Sequence, residues 1–163
     1  MRTTSTERSG QQLRRRRLLL ASAFGAAAWA TASPAPGRPE VDVWKAPSCG
    51  CCKDWIRHLE ANGFQVKVHD TGNTAARTRV GIPMQLGSCH TALIEGYAIE
   101  GHVPARVIHR LLGERPSAVG LAVPGMPIGS PGMDGAEHGS RKDPYDVLLV
   151  RKDGSTTSYQ TYR

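Results

Sequence analysis

The stretch Pro47-Ser48-Cys49-Gly50-Cys51-Cys52 constrains this chain more than any other. Three of its four cysteines fall within four residues, and the fourth, Cys89, is followed directly by His90. Free thiols oxidise and pair wrongly unless something occupies them. A soft-metal site, a redox site and a disulfide staple are the three uses open to such a cluster.

Its flanks predict the architecture. Val41 and Val43 mark a strand at 41–45, ended by Pro47. A helix from about Cys52 to Ala61 follows, with Cys52, Trp55, Ile56 and Leu59 on one face and Lys53, Asp54, Arg57 and Glu60 on the other. Asn62-Gly63 stops it, and Phe64, Val66 and Val68 alternate along a second strand at 64–69. Strand, cysteine turn, helix and strand make a right-handed crossover between parallel strands.

A short helix at 74–80 is broken by Gly81-Ile82-Pro83. Strands at 90–94 and 97–100 turn at Glu95-Gly96. A helix runs from Pro104 to Leu112 with Gly113 as its stop. Residues 116–144 are rich in Gly and Pro and show no evident element, which makes them a functional loop or a poorly ordered one. Segments 145–150 and 155–162 form a terminal hairpin around Lys152-Asp153-Gly154. This order predicts an α/β, thioredoxin-like fold: a mixed β-sheet with flanking helices, a Gly/Pro/Met-rich loop and a C-terminal β-hairpin. Gly81-Ile82-Pro83 then falls where that fold carries a cis-proline facing its cysteines.

The net charge of +7 suggests nucleic acid until it is located. Residues 1–32 hold six Arg and one Glu, which leaves 15 basic against 13 acidic residues beyond them. A nearly balanced domain gives no electrostatic case for binding nucleic acid. The basic segment reads instead as an export signal: Arg14 to Arg17, an apolar run from Leu18 to Ala30, and the small-x-small site Ala30-Thr31-Ala32. That run makes about 20 Å of helix, short of the ~30 Å core of a bilayer, so no permanent membrane span is expected. The expected organisation is an export signal peptide at 1–32, by the twin-arginine or the general route, a linker at 33–39 and a domain at 40–163. The expected compartment is the periplasm, where disulfides persist.

Cys49 and Cys52 form Cys-x-x-Cys at a helix N-terminus, where the helix dipole favours thiolate. That suits disulfide exchange, but Cys51 offers wrong partners, and three thiolates in one turn repel. A soft cation removes the repulsion, and Cu(I) suits thiolates best, with Zn(II) the nearest competitor. Cys-x-Cys-Cys with one distant Cys favours bridging thiolates and several ions. Cys49, Cys51, Cys52 and Cys89 are the expected metal ligands. His90, beside Cys89, and His102, after the fourth strand, are further candidates, as are the thioethers Met84, Met126 and Met133. Two structural disulfides, such as Cys49–Cys89 with a second bridge, remain the alternative for the cysteines. His58, His69, His109 and His138 read as surface residues.

Several motifs together resemble one family. They are Pro47-Ser48-Cys49-Gly50-Cys51-Cys52 with Trp55, Ser88-Cys89-His90-Thr91-Ala92, Glu100-Gly101-His102-Val103-Pro104, Gly120 to Pro127, and Gly129-Ser130-Pro131-Gly132-Met133. The chain is similar over 41–163 to the CopG copper-resistance proteins, which are unrelated to the ribbon-helix-helix repressors of the same name. The resemblance implies a periplasmic, thioredoxin-like domain whose four cysteines hold a multinuclear copper cluster. It also implies copper tolerance by sequestration or by cycling between Cu(I) and Cu(II), with other envelope copper-handling proteins as partners. A thiol-disulfide oxidoreductase using Cys49 and Cys52, and a disulfide-stapled interaction module, are the competing functions.

Overall fold

Seven strands form one mixed sheet in the order β2-β1-β3-β4-β5-β6-β7 in the computed structural model, which describes residues 37–163. The expected export signal and most of the linker lie outside the described residues. The strands are β1 (Glu40–Lys45), β2 (Gln65–His69), β3 (His90–Ile94), β4 (Tyr97–Glu100), β5 (Gly120–Ala122), β6 (Tyr145–Val150) and β7 (Thr156–Tyr162). The helices are α1 (Gly50–Ala61), α2 (Thr74–Arg79) and α3 (Ala105–Glu114). No helix among the described residues is long and apolar enough to cross a membrane.

β1 pairs parallel with β2 across α1, and antiparallel with β3 on its other side. β3 and β4 form the expected hairpin, with Glu95 and Gly96 both at positive φ in its turn. The mixed α/β class, the parallel β1/β2 crossover and the β3/β4 hairpin follow from the sequence pattern. The cis-proline does not: no cis peptide bond occurs among the described residues.

The largest correction is β5, a strand inside the 116–144 segment that shows no element in sequence. It pairs parallel with β4 and antiparallel with β6, so the terminal hairpin continues the main sheet. All three residues of β5 are buried, so no alternation marks them as a strand. Gly120 is fixed by close approach: a Cβ there would stand 1.8 Å from the Ala98 carbonyl oxygen of β4.

The main core lies between the sheet and the α1/α3 layer. Trp55, Ile56 and Leu59 of α1 join Val107, Ile108 and Leu111 of α3 against Val41, Val43, Ala92, Ile99 and Leu121. A smaller cluster of Ile82, Leu86, Ala98, Ala122 and Val150 is separate from it. Ala98 and Ile99 are successive residues of β4 and go to different clusters, as the two-residue period of a strand requires. Trp55 is fully buried, and its indole N–H donates to the Val103 carbonyl at 2.9 Å, so the side chain most costly to misplace is also satisfied.

Two boundaries and the burial of one position differ from expectation. α1 begins at Gly50, not at about Cys52, because Cys49 in extended conformation serves as the N-cap and Gly50 and Cys51 complete the first turn. α3 runs past Gly113, and Arg115 takes the left-handed terminating conformation at φ 47°. Val68 is 41% exposed because β2 is an edge strand.

Candidate metal centre

The cysteine loop is shaped from both ends. The Ala46 carbonyl accepts the Cys49 N–H at 3.1 Å and the Lys45 ammonium at 3.1 Å. Lys45 is buried and also pairs with Asp70 at 2.5 Å, so the chain leaving β1 is held as it turns into α1. Cys51 and Cys52 then lie in the first turn of α1, with Cys52 facing the core.

Cys89 arrives from the other side on the residue before β3. Glu100, fully buried in β4, fixes that approach. Its carboxylate accepts the Ser88 N–H at 2.6 Å, the Thr91 hydroxyl at 2.6 Å and the Arg77 guanidinium at 2.9 Å. Arg77 in turn donates to the Ser88 carbonyl at 2.6 Å. Burial pushes the Glu100 carboxyl above its usual range, and these donors together with the Arg77 charge pull against that shift.

The four sulfurs lie within 4.8 Å of one another. Cys49 and Cys52 are joined as a disulfide, while Cys51 and Cys89 are free thiols. The Cys49–Cys89 bridge weighed from sequence is therefore not the one formed, and two of the four expected ligands are not thiolate donors in this state. Cys51 Sγ is 3.5 Å from Cys49 Sγ and 3.7 Å from Cys89 Sγ. Burial, reinforced by the neighbouring Cys51, pushes the Cys89 thiol up to about 12.

Cys89 belongs to a second group as well. His90 Nδ1 lies 3.4 Å and His102 Nε2 3.2 Å from its sulfur, and both rings are fully buried. His90 Nε2 pairs with the Gly101 carbonyl at 2.9 Å, and His102 Nδ1 with the Pro131 carbonyl at 2.8 Å. A carbonyl only accepts, so each of those nitrogens carries the proton, and in the neutral ring the other nitrogen presents a lone pair to Cys89. Burial pulls both imidazoles below the usual histidine range, which keeps them neutral. One thiol proton serves only one of two lone pairs. A soft cation beside Cys89 serves both, and a carbonyl behind each ligating ring is the usual support for a metal-bound histidine.

The Gly/Pro/Met loop between β5 and β6 closes over the same place. A Cβ on Gly132, at φ 83°, would stand 2.6 Å from the Cys51 carbonyl oxygen and 2.7 Å from the Trp55 nitrogen. The loop backbone thus rests on the first turn of α1 while Pro131 holds His102. Met133 follows Gly132 in a turn closed by the Gly129 N–H to the Met133 carbonyl at 2.7 Å. Met126 stands 51% exposed beside a surface cavity of about 500 Å³ that has no cysteine in its lining, and Met84 is 58% exposed.

His58 departs from its surface reading. It is half-buried, and its Nε2 accepts the Ala105 N–H at 3.0 Å, which ties α1 to the start of α3. Glu100 opens one of the recurring motifs, but no spacing in the sequence indicates that it meets Arg77 beneath Ser88.

A family described as a protein of unknown function, DUF411, matches residues 86–133. No curated protein matches the chain. Among solved structures, copper resistance protein CopG in its form 2 is 48% identical, with a TM-score of 0.71 over 77% of this chain and 98% of that one. Form 1 of the same protein is 48% identical, with a TM-score of 0.70 over 76% of this chain and 96% of that one. The chain belongs to the CopG copper-resistance family. As a CopG protein it is related to proteins named for copper resistance, and it carries a cysteine cluster of a kind that binds metal. The donor set fits copper: sulfur and neutral imidazole converge without a carboxylate among them.

Proposed function

We propose that this protein binds copper in the periplasm and confers copper resistance by sequestering the metal or cycling it between Cu(I) and Cu(II). The observation that carries this is the convergence of four sulfurs and two neutral imidazole lone pairs around Cys89. When the cluster is fully reduced, Cys49, Cys51, Cys52 and Cys89 hold several copper ions through bridging thiolates. His90 and His102 complete the set, and Met133 in the overlying loop supplies a thioether, while Met126 opens on a cavity without cysteines and is left out of it. The export signal at 1–32 delivers the domain, and copper-handling proteins of the envelope are its partners.

Each residue has a part in this reading. Bound thiolates give up their protons, and the high proton affinity of Cys89 makes that displacement pH-dependent. Gly101 and Pro131 orient the imidazoles. The Gly/Pro/Met loop limits solvent access from above.

The disulfide between Cys49 and Cys52 at the start of a helix favours one other reading, a thiol-disulfide oxidoreductase. Anaerobic copper titration of the reduced chain with elemental analysis separates the two. The expected result is more than one tightly held copper per chain, with a lower count in Cys51→Ser, a residue that Cys-x-x-Cys exchange does not need. Fewer than one copper per chain, together with rapid insulin disulfide reduction, would establish the oxidoreductase instead. A Cys51→Ser chain with undiminished stoichiometry would refute the bridged cluster.

A further inference from the structure

The cysteine cluster contains a disulfide and a dithiol at once. Cys49–Cys52 is closed, yet Cys51 and Cys89 keep their thiols 3.7 Å apart in the same cluster. We infer that the domain has two copper-binding states selected by Cys49–Cys52: the closed state holds a single Cu(I) on Cys51, Cys89 and a buried histidine, and the open state holds more. The inference rests on the copper reading above and adds its regulation.

The closed state retains a usable donor set. A metal–sulfur bond of about 2.3 Å places two sulfurs about 3.8 Å apart around a tetrahedral ion and about 4 Å apart around a trigonal one. The Cys51–Cys89 separation already approaches this. The third donor is waiting: His102 Nε2 lies 3.2 Å and His90 Nδ1 3.4 Å from Cys89 Sγ, each oriented by a backbone carbonyl. None of these groups takes part in the disulfide.

Charge fixes the count. Two thiolates and neutral imidazole around one Cu(I) leave a net charge of one minus. A second Cu(I) in the closed state lacks thiolates of its own, because a disulfide sulfur carries no charge and donates weakly. Opening the disulfide supplies two more thiolates next to the first pair, since Cys51 Sγ is 3.5 Å from Cys49 Sγ. Four thiolates around a lone Cu(I) leave three minus charges in a partly buried cluster, which is costly, and further Cu(I) ions offset them. The open state therefore favours several ions.

The chemistry balances with a dithiol reductant. It passes two electrons and two protons to Cys49–Cys52, becomes a disulfide itself and leaves two cysteine thiols. Each thiol that then ligates Cu(I) releases its proton to solvent. The copper stays Cu(I) throughout.

The test compares the full chain in two forms under anaerobic conditions. One is air-oxidised, with the Cys49–Cys52 bond verified by mass spectrometry after alkylation. The other is reduced with dithiothreitol, which is then removed by gel filtration. Both are titrated with Cu(I) as its acetonitrile complex and read by elemental analysis and by thiolate-to-copper absorbance in the ultraviolet. The expected result is one copper per oxidised chain and at least two per reduced chain, with the oxidised chain still disulfide-bonded after titration. Cys49→Ser/Cys52→Ser is expected to hold one copper whether or not dithiothreitol has been applied.

An oxidised chain that binds none, or as many as the reduced chain, overturns the inference while leaving copper binding intact. So does a double serine variant whose copper signal disappears. A reduced chain that binds less than one copper overturns the copper reading itself.

Discussion

Replacing Glu100 by Gln tests whether the buried network under Ser88 positions Cys89. The side chain keeps its size and two hydrogen-bonding atoms but loses its charge. Arg77, whose side chain is 8% exposed, then has no counter-ion against a carboxylate that was fully buried. Breaking a buried pair from one side costs about 3–5 kcal/mol. The Ser88 N–H and Thr91 hydroxyl donate to different carboxylate oxygens, and glutamine keeps only one acceptor oxygen, so one contact passes to a weaker, neutral acceptor and the other meets an NH2 group that cannot accept. For a domain of this size, each kcal/mol lowers Tm by about 2–8 °C, so a drop of about 6 °C or more is expected. Urea unfolding followed by circular dichroism reads the stability. Labelling with a thiol reagent in native buffer reads the geometry, since Cys89 directly follows the residue released. Expected are a lower urea midpoint at unchanged slope and faster labelling of Cys89 in the folded chain. The pair Arg77→Met/Glu100→Leu removes both charges and is expected to cost less than the two single changes summed. A loss below about 1 kcal/mol in Glu100→Gln, with Cys89 labelling unchanged, would refute the positioning role.

Other outcomes follow from the same geometry. Gly132→Ala places a Cβ against the Cys51 carbonyl in a backbone conformation that costs an L-residue about 1–2 kcal/mol; competition with a colorimetric Cu(I) chelator is expected to show weaker binding, and an unchanged affinity and urea midpoint would disprove the close contact. His58, His90 and His102 are all held below the ordinary value of 6.5 by burial. Their folded-state values lie below the unfolded one, so the metal-free chain carries this stability in full above about pH 6.5 and loses it as pH falls toward the folded values. Urea midpoints measured between pH 7.5 and 5 should decline, and a flat or rising profile contradicts the neutral, hydrogen-bonded histidines.

How much of this was legible depends on where the signal resides. β1, α1, β3, β4 and the terminal hairpin announce themselves through local periodicity and turn residues, and their boundaries fall within a few residues of expectation. β5 does not, because three buried residues have no period, and only their neighbours β4 and β6 make them a strand. Gly113 looked like a helix stop, yet α3 continues through it and ends at Arg115, since packing of Leu111 outweighs the modest helix cost of one glycine. The sulfur cluster follows from topology: once β1 and β3 are neighbours, the loop after one meets the residue before the other. Cys-x-x-Cys marks Cys49 and Cys52 as an exchange pair, but whether they close is not legible, because the spacing of four cysteines allows several connectivities. The orientation of His90 and His102 depends on the Gly101 and Pro131 carbonyls, and no sequence pattern encodes which backbone oxygen a ring will find.

The loop that rests on α1 emerges from one strand and enters its partner. Ala122 pairs with Leu148, so both ends of the 123–144 segment are tied to adjacent strands of the sheet, neither of them an edge. A loop anchored this way has already lost most of the freedom it would give up on settling over the sulfurs. Cutting it once in the exposed stretch near Lys142 would leave the strands paired and the core closed, yet release the cover from its tether. On this reading the fold and the loop's seat on the first turn of α1 are separable properties, joined by a single continuous stretch of backbone.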